Sequence, residues 1–317
     1  MKFLLIAFLL CFISINLFAQ DSTKNNNNGD SISFISDNSE LSKKTKNKRL
    51  SVVILSKSAF YIAGNSYLQF VWYKDHKPVP FHFYNDNKGW LQLDKVGHFY
   101  AAYHESKVGY NSLKWADVSD KKAFWYGGFL GLILQTPIEI FDGLYEGYGF
   151  SVGDMIANAS GSGLFMTQQH FFKEQIILPK FSYSPSPYAK YRPWVLGESH
   201  TNRFFQDYNG HTYWFSTNLK RIFKNKNIPS WLNIAFGYSG NGMLAEFENP
   251  EFSRGIEMPK LERHRQFLLS LDVDMTKIKT KSKFLKGLLG TINLLKIPAP
   301  ALEYNKEKGF VVHGIYF

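Results

Sequence analysis

The sequence predicts an α+β protein, with an N-terminal four-helix unit followed by a C-terminal antiparallel β region, either a small sheet or a partial barrel. Three observations carry this. Residues 50–173 hold helix-length segments rich in apolar and small residues. Beyond a run containing Pro179, Pro185, Pro187 and Pro193 the apolar residues alternate with period two. That second half has no strand–helix–strand alternation of the parallel kind, so its strands should pair antiparallel.

The chain starts like a secretory leader. Lys2 supplies the positive flank, "FLLIAFLLCFI" a short apolar core, and Ala19 a small residue for cleavage. The apolar run is short for a transmembrane helix. Cys11, the only cysteine, lies inside it without the small-residue setting of a lipidation site, so no lipid anchor is expected there. A chain cut after residue 20 keeps no cysteine, which excludes disulfides, thiolate ligands and a cysteine nucleophile. Residues 21–49, with "NNNNGD" and "KKTKNKR", are too polar to order themselves and read as a tether.

Residues 50–178 form the expected helical domain. Helices are predicted over 50–73, 91–110, 121–145 and 151–173. Pro137 should kink or divide the third, and Ser151 should cap the fourth. Ala157, Gly161 and Gly163 permit close helix approach. Residues 179–317 form the expected β domain, with strands at 211–219, 230–240, 265–275, 291–297 and 309–317. "QDYNGHTYWF" carries an Asn-Gly hairpin signal. The last strand ends on Phe317, with Ile315 and Val311 expected on its apolar face and His313 interrupting it. Such an ending resembles the closing strand of a membrane barrel, and it also occurs in soluble sheets.

Lysine and arginine number 37 against 26 acidic residues, a net +11. Removing the leader takes away Lys2 alone, leaving 11 − 1 = +10. For an exported chain this points to a membrane or another anionic envelope surface, not to nucleic acid. "KIKTKSKFLKG", 277–287, could meet anionic headgroups, or be a solvated loop between strands.

Three helical pairs form the candidate polar centre. Asp94 and His98 are four apart, Glu139 and Asp142 three, Asp154 and Asn158 four, so each pair shares a helix face. Lys95 and Gln135 lie close by. Buried together, such groups must pair, protonate or bind a cation. Three readings follow: a salt-bridged structural lock, a metal site on Asp94, His98, Glu139 and Asp154, or acid–base catalysis by the same four residues. The metal reading lacks a second histidine at ligand spacing. The catalytic reading lacks a nucleophile motif. In the loop "FHFYNDN", His82 and Asp86 could contact a ligand, or the loop could be a turn held by its Asn and Asp side chains. His104 and His170 read as ordinary packing or surface histidines.

"DKVGHF" at 94–99, "EIFDG" at 139–143 and "SVGDMIANASGSGLF" at 151–165 resemble the ordered motifs of VanZ-like proteins, and more closely those of exported YfiM-type envelope proteins. The resemblance singles out Asp94, Lys95, His98, Glu139, Asp154, Asn158 and Gly161. It implies a cell-envelope setting and brings no settled reaction. The leader and the long β region depart from typical VanZ-like members and argue against an inner-membrane role.

The expected function is a non-enzymatic periplasmic or outer-membrane-associated protein. It would scaffold an envelope complex or bind lipid or glycan headgroups. Binding roles fall to Lys95, Asp142, Asn158, Gly161, His82 and Asp86. The alternative is an envelope hydrolase or transferase on a lipid-linked substrate, with His98 as acid or base and Glu139 and Asp154 positioning a metal or water. The sequence names no cofactor and no protein partner.

Overall fold

A computed structural model describes residues 42–317. The leader, Cys11 and most of the tether lie outside the described residues.

Helix α1 spans Lys43–Tyr67 and begins inside the stretch read as tether. Ser42 caps it, its Oγ accepting from the Thr45 N–H at 3.3 Å. Helix α2 (Leu93–Trp115) is the centre of the helical region and packs against α3 (Leu130–Asp142) and α4 (Val152–Phe172). Two glycines set these distances. A Cβ on Gly131 of α3 would stand 2.0 Å from the Ala102 carbonyl oxygen, and one on Gly161 of α4 would stand 2.1 Å from that of Phe99. Free N–H groups at the start of α3 are satisfied by neighbouring helices rather than by a local cap. Gly131 donates to Ser106 Oγ at 3.2 Å and Leu132 to Ser162 Oγ at 3.0 Å.

The predicted third helix is broken, though not at Pro137, which stands inside α3 without ending it. The break lies upstream, at the π-turn Ala123–Gly127. Gly127 is pressed there against the Tyr110 backbone, so the chain must turn around α2 before it can continue. Ser151 caps α4 as expected, accepting from the Asp154 N–H at 3.1 Å.

The second half holds a six-stranded antiparallel sheet. Its strands are β1 (Ile177–Tyr183), β2 (His211–Asn218), β3 (Leu232–Asn241), β6 (His264–Val273), β7 (Ala299–Asn305) and β8 (Gly309–Tyr316), adjacent in that order. A two-residue ladder, β4 (Phe252–Ser253) with β5 (Ile256–Glu257), stands apart. Short helical turns at Pro193–Leu196, His200–Gln206 and Leu219–Phe223 fill connections.

Strand β1 crosses the expected domain boundary. Its Pro179 is tolerated because β1 is a sheet edge. Residues 291–297 are not a strand: helix α5 (Lys283–Ile292) ends there, and the missing strand is β7, disguised by Pro298 and Pro300. The segment beyond α5 instead bonds the free edge of β1, with Phe181 N–H donating to Leu294 O at 3.0 Å and Lys296 N–H to Phe181 O at 2.9 Å. Asn209-Gly210 makes a 3-10 turn rather than a hairpin, because the Asn209 side chain is tied to Met243 N–H and C=O, each at 2.8 Å.

The sheet's polarity is inverted. Register places Tyr213 beside Tyr238, Tyr238 beside Phe267, Phe267 beside Tyr304 and Tyr304 beside Phe310. The next row on that face is Phe215, Phe236, Leu269, Leu302 and Val312. The opposite face is enclosed yet carries Lys180, Thr212, Ser216, Asn233, Ser239, Gln266, Asp272, Glu303 and Asn305, around the apolar residues Trp214, Ala235, Leu268 and Ala301. Val311 and His313 of β8 belong to this inner face. His313 Nε2 lies 2.7 Å from Glu303 Oε2, so the histidine does not interrupt the apolar row as expected from sequence. The sheet curls until Tyr316 of β8 reaches the Trp214 ring of β2. Helix α2 covers only the β1–β2 end of the apolar face, where Leu93 packs with Phe181, Tyr213 and Met243. Among the described residues nothing covers the remainder: Phe310 is 73% exposed and Val312 80%.

Candidate functional site

The polar centre lies where α2, α3, α4 and the turn before β2 converge. The chain enters α2 through a strained turn: Trp90, Leu91 and Gln92 have φ of 47°, 52° and 66°. Non-glycine residues in this left-handed region cost on the order of 1–3 kcal/mol each, so the surroundings must impose it. Trp90 N–H donates to Glu246 O at 2.7 Å, Tyr238 OH to Leu91 O, and Arg265 Nη2 to Gln92 Oε1 at 2.7 Å. Loop and sheet together thus fix the direction in which α2 starts.

The first two turns of α2 carry Asp94, Lys95 and His98. Lys95 Nζ sits 2.8 Å from Asp86 Oδ1 and 3.1 Å from Asp154 Oδ1, joining the aromatic loop to α4. Ser151 Oγ donates to Asp86 Oδ1 at 2.6 Å while capping α4. His98 Nδ1 faces Asn158 Oδ1 at 3.2 Å, and its Nε2 lies 3.6 Å from Glu139 Oε1. Ser151 N–H donates to Glu139 Oε2 at 3.3 Å. Tyr208 donates to Asp94 Oδ1, and Tyr73 to Asp142 Oδ1. Donor atoms of Asp94, His98 and Asp154 all lie within 4.8 Å of one another.

Five carboxyls therefore surround one lysine and one imidazole. Burial, with His98 partly opposing it, lifts Glu139 to about 8. Burial likewise lifts Asp142 to about 7, against the Tyr73 hydrogen bond. Asp154 rises to about 6 through burial and the Asp94 charge. For His98 burial disfavours the cation, but Asp94, Asp154 and Glu139 outweigh it and hold its pKa above the ordinary value. Asp86 moves the other way: Lys95 and Ser151 overcome its burial and keep it below the usual carboxylate range. Within the polar centre, two buried side-chain atoms have no hydrogen-bond partner among the described residues, Glu139 Oε1 and Asn158 Nδ2. Both belong to side chains that flank His98.

Of the residues singled out from sequence, Asp86, Asp94, Lys95, His98, Glu139, Asp142, Asp154 and Asn158 meet here. His82 does not: its Nε2 is bound to Tyr148 O at 2.8 Å, a turn-holding role. Gly161 lies against the α2 backbone as a packing position. His104 of α2 reaches Pro179 O at 2.9 Å and ties the helix to β1.

Sequence reasoning missed Tyr73 and Tyr208, which carry no local signal. It also missed the pairing of Gln135 Nε2 with both oxygens of Glu105, at 2.9 and 3.0 Å. Burial raises Glu105 to about 8, with the Gln135 hydrogen bond partly opposing it. Chemically the centre can hold a cation, or keep a proton between His98 and Glu139. The Ser151 hydroxyl is committed to Asp86 and to the α4 cap.

Among the described residues no helix is long and apolar enough to cross a membrane. Residues 82–169 match the family model of a predicted periplasmic lipoprotein (DUF2279). The match spans the aromatic loop and α2 to α4, and so contains every member of the polar centre except Tyr73 and Tyr208. It supports an exported envelope protein of uncharacterised function. The family description includes a lipid anchor, whereas Cys11 stands among large apolar residues in "LLCFI". No curated protein and no solved structure matches the chain.

Proposed function

We propose that this chain is a non-enzymatic component of the cell envelope that seats the bare face of its sheet in the hydrocarbon of a membrane, the outer membrane being the compartment it fits best. One observation carries the reading: the enclosed face of the sheet is polar and the open face apolar. A sheet in water has the reverse arrangement, because apolar area gains by leaving solvent. Lipid-facing strands alternate apolar-out and polar-in. Strands β3 and β6 are ten residues each, the length a tilted strand needs in a bilayer. The row Tyr238, Phe267, Tyr304 and Phe310 gives one end of the face an aromatic border, as at a membrane interface.

The opposite end supplies charge complementarity. Residues 219–231 contain Lys220, Arg221, Lys224 and Lys226 and no acid; residues 274–298 add Lys277, Lys279, Lys281, Lys283 and Lys286, besides the buried Lys296, against Asp274 alone. Exposed Phe223, Trp231 and Phe284 stand among them. Cationic and aromatic residues together suit anionic headgroups, each nearby Lys or Arg contributing on the order of 1 kcal/mol. The polar centre is then a joint. It links four chain segments and, through Tyr208, fixes the helical region to the membrane-seated sheet, the arrangement a scaffold requires.

Vesicle flotation tests this. Purified protein should float with vesicles of phosphatidylglycerol and phosphatidylethanolamine, and resist release by 1 M salt because the apolar face holds it. Leu269→Asp with Val312→Asp should return the protein to the soluble fraction with its circular dichroism unchanged. Wild-type protein that stays with the aqueous fraction at all salt concentrations contradicts the proposal.

A further inference from the structure

The polar centre contains a geometry that its internal hydrogen bonds leave incomplete. We propose that Asp94, His98 and Asp154, with Glu139 as fourth donor, bind one divalent metal ion of the Zn2+ or Mn2+ kind, which clamps α2, α3 and α4 together.

Four observations converge. First, donor atoms of Asp94, His98 and Asp154 lie within 4.8 Å of one another, so one ion can reach all three. Second, Glu139 Oε1 is buried, has no hydrogen-bond partner among the described residues and stands 3.6 Å from His98 Nε2. That distance is long for a hydrogen bond. It is close to the separation of neighbouring ligands on a tetrahedral ion, about 3.4 Å for bonds of about 2.1 Å. Third, each donor is already oriented by a second contact: Asp94 by Tyr208, Asp154 by Lys95, Glu139 by Ser151 N–H, and His98 by Asn158. With Nδ1–H donated to Asn158 Oδ1, the His98 Nε2 lone pair is turned toward Glu139, the outer-shell arrangement that prepares a histidine for metal. Fourth, charge is out of balance. Asp86 and Lys95 offset each other and Asp142 is taken up by the Tyr73 hydroxyl, leaving Asp94, Glu139 and Asp154 around a single imidazole. Carboxylates with one imidazole suit Zn2+ or Mn2+ better than soft ions, and four protein donors make a closed structural site rather than an open catalytic one.

The inference is independent of the membrane reading, because it is tested in detergent on the full chain. Isothermal titration of chelator-treated, tag-free protein with ZnCl2 or MnCl2 should show one site per chain. Chelation should lower the Tm, and the metal should restore it. Asp154→Asn and Glu139→Gln should each weaken binding at least tenfold, while Glu105→Gln, outside the site, should bind as wild type does. A fold-independent readout accompanies these variants. Co2+ bound to the unmodified protein should give visible d–d bands of nitrogen–oxygen ligation, displaced by one equivalent of Zn2+. No heat with either ion, no Co2+ bands and a Tm unmoved by chelation would overturn the site. So would binding that survives intact in folded Asp154→Asn and Glu139→Gln.

Discussion

Tyr208, in the turn that leads into β2, donates its hydroxyl hydrogen bond to Asp94 on the first turn of α2, 114 residues earlier in the chain. This bond joins the helical region to the sheet at the polar centre. A hydrogen bond to a charged group contributes roughly 1.5–3 kcal/mol. Tyr208→Phe should therefore lower stability by about 2 kcal/mol in a denaturant titration. The loss should largely vanish in an Asp94→Asn background, where no charge awaits the donor.

Gly161 is where α4 meets α2. A methyl group there would sit 2.1 Å from the Phe99 carbonyl oxygen, and backbone cannot step aside as a side-chain end can. Overpacking of this kind costs about 1–3 kcal/mol. Gly161→Ala should show that loss by thermal unfolding. Gly163→Ala, with open space around its Cβ, should be neutral or slightly stabilising.

The buried pair of β1 and β6 gives a third test. Lys180 Nζ lies 2.7 Å from Asp272 Oδ2, with both side chains 0% exposed. Removing one partner strands a charge, which costs about 3–5 kcal/mol. Lys180→Met should be strongly destabilised. Lys180→Met with Asp272→Leu should recover much of the loss, and a double variant as unstable as the single one would contradict this account of the inner face.

Glu105 predicts a pH dependence. Burial lifts its carboxyl to about 8 in the folded chain, while an unfolded glutamate titrates near 4.3. The folded state therefore holds its proton more tightly. Its contribution to stability is fully present below about pH 4.3 and is lost as pH rises through about 8. Glu105→Gln, which cannot ionise, should gain in Tm relative to wild type across this window, and the gain should level off above about pH 8. A difference that stays flat from pH 5 to 8.5 would show that Glu105 is not buried as described.

Much of this was legible from sequence, for identifiable reasons. Helix spacing alone put Asp94 with His98, and Asp154 with Asn158, and the capping serine at 151 marked the start of α4. The antiparallel sheet followed from alternation in β2, β3, β6 and β8. What alternation could not convey was β1 and β7, where Pro179, Pro298 and Pro300 mimic loop signals although each strand still finds its register. Nor could it say which face of the sheet is enclosed. Period two gives two faces, and only the covering of the polar one by the sheet's own curl identifies the apolar one as open. Tyr73 and Tyr208 were invisible because their roles arise from long-range packing.

The most direct test of the central claim compares neighbouring residues on opposite faces of β6. Nitroxide labels placed at Leu269→Cys and Ser270→Cys, each in a Cys11→Ser background, are read by power-saturation electron paramagnetic resonance in phosphatidylglycerol-containing vesicles. The account predicts that the label at 269 becomes accessible to oxygen and shielded from a water-soluble nickel reagent, while the label at 270 shows no such gain in oxygen access. A label at 269 that meets the nickel reagent equally with and without vesicles would contradict it.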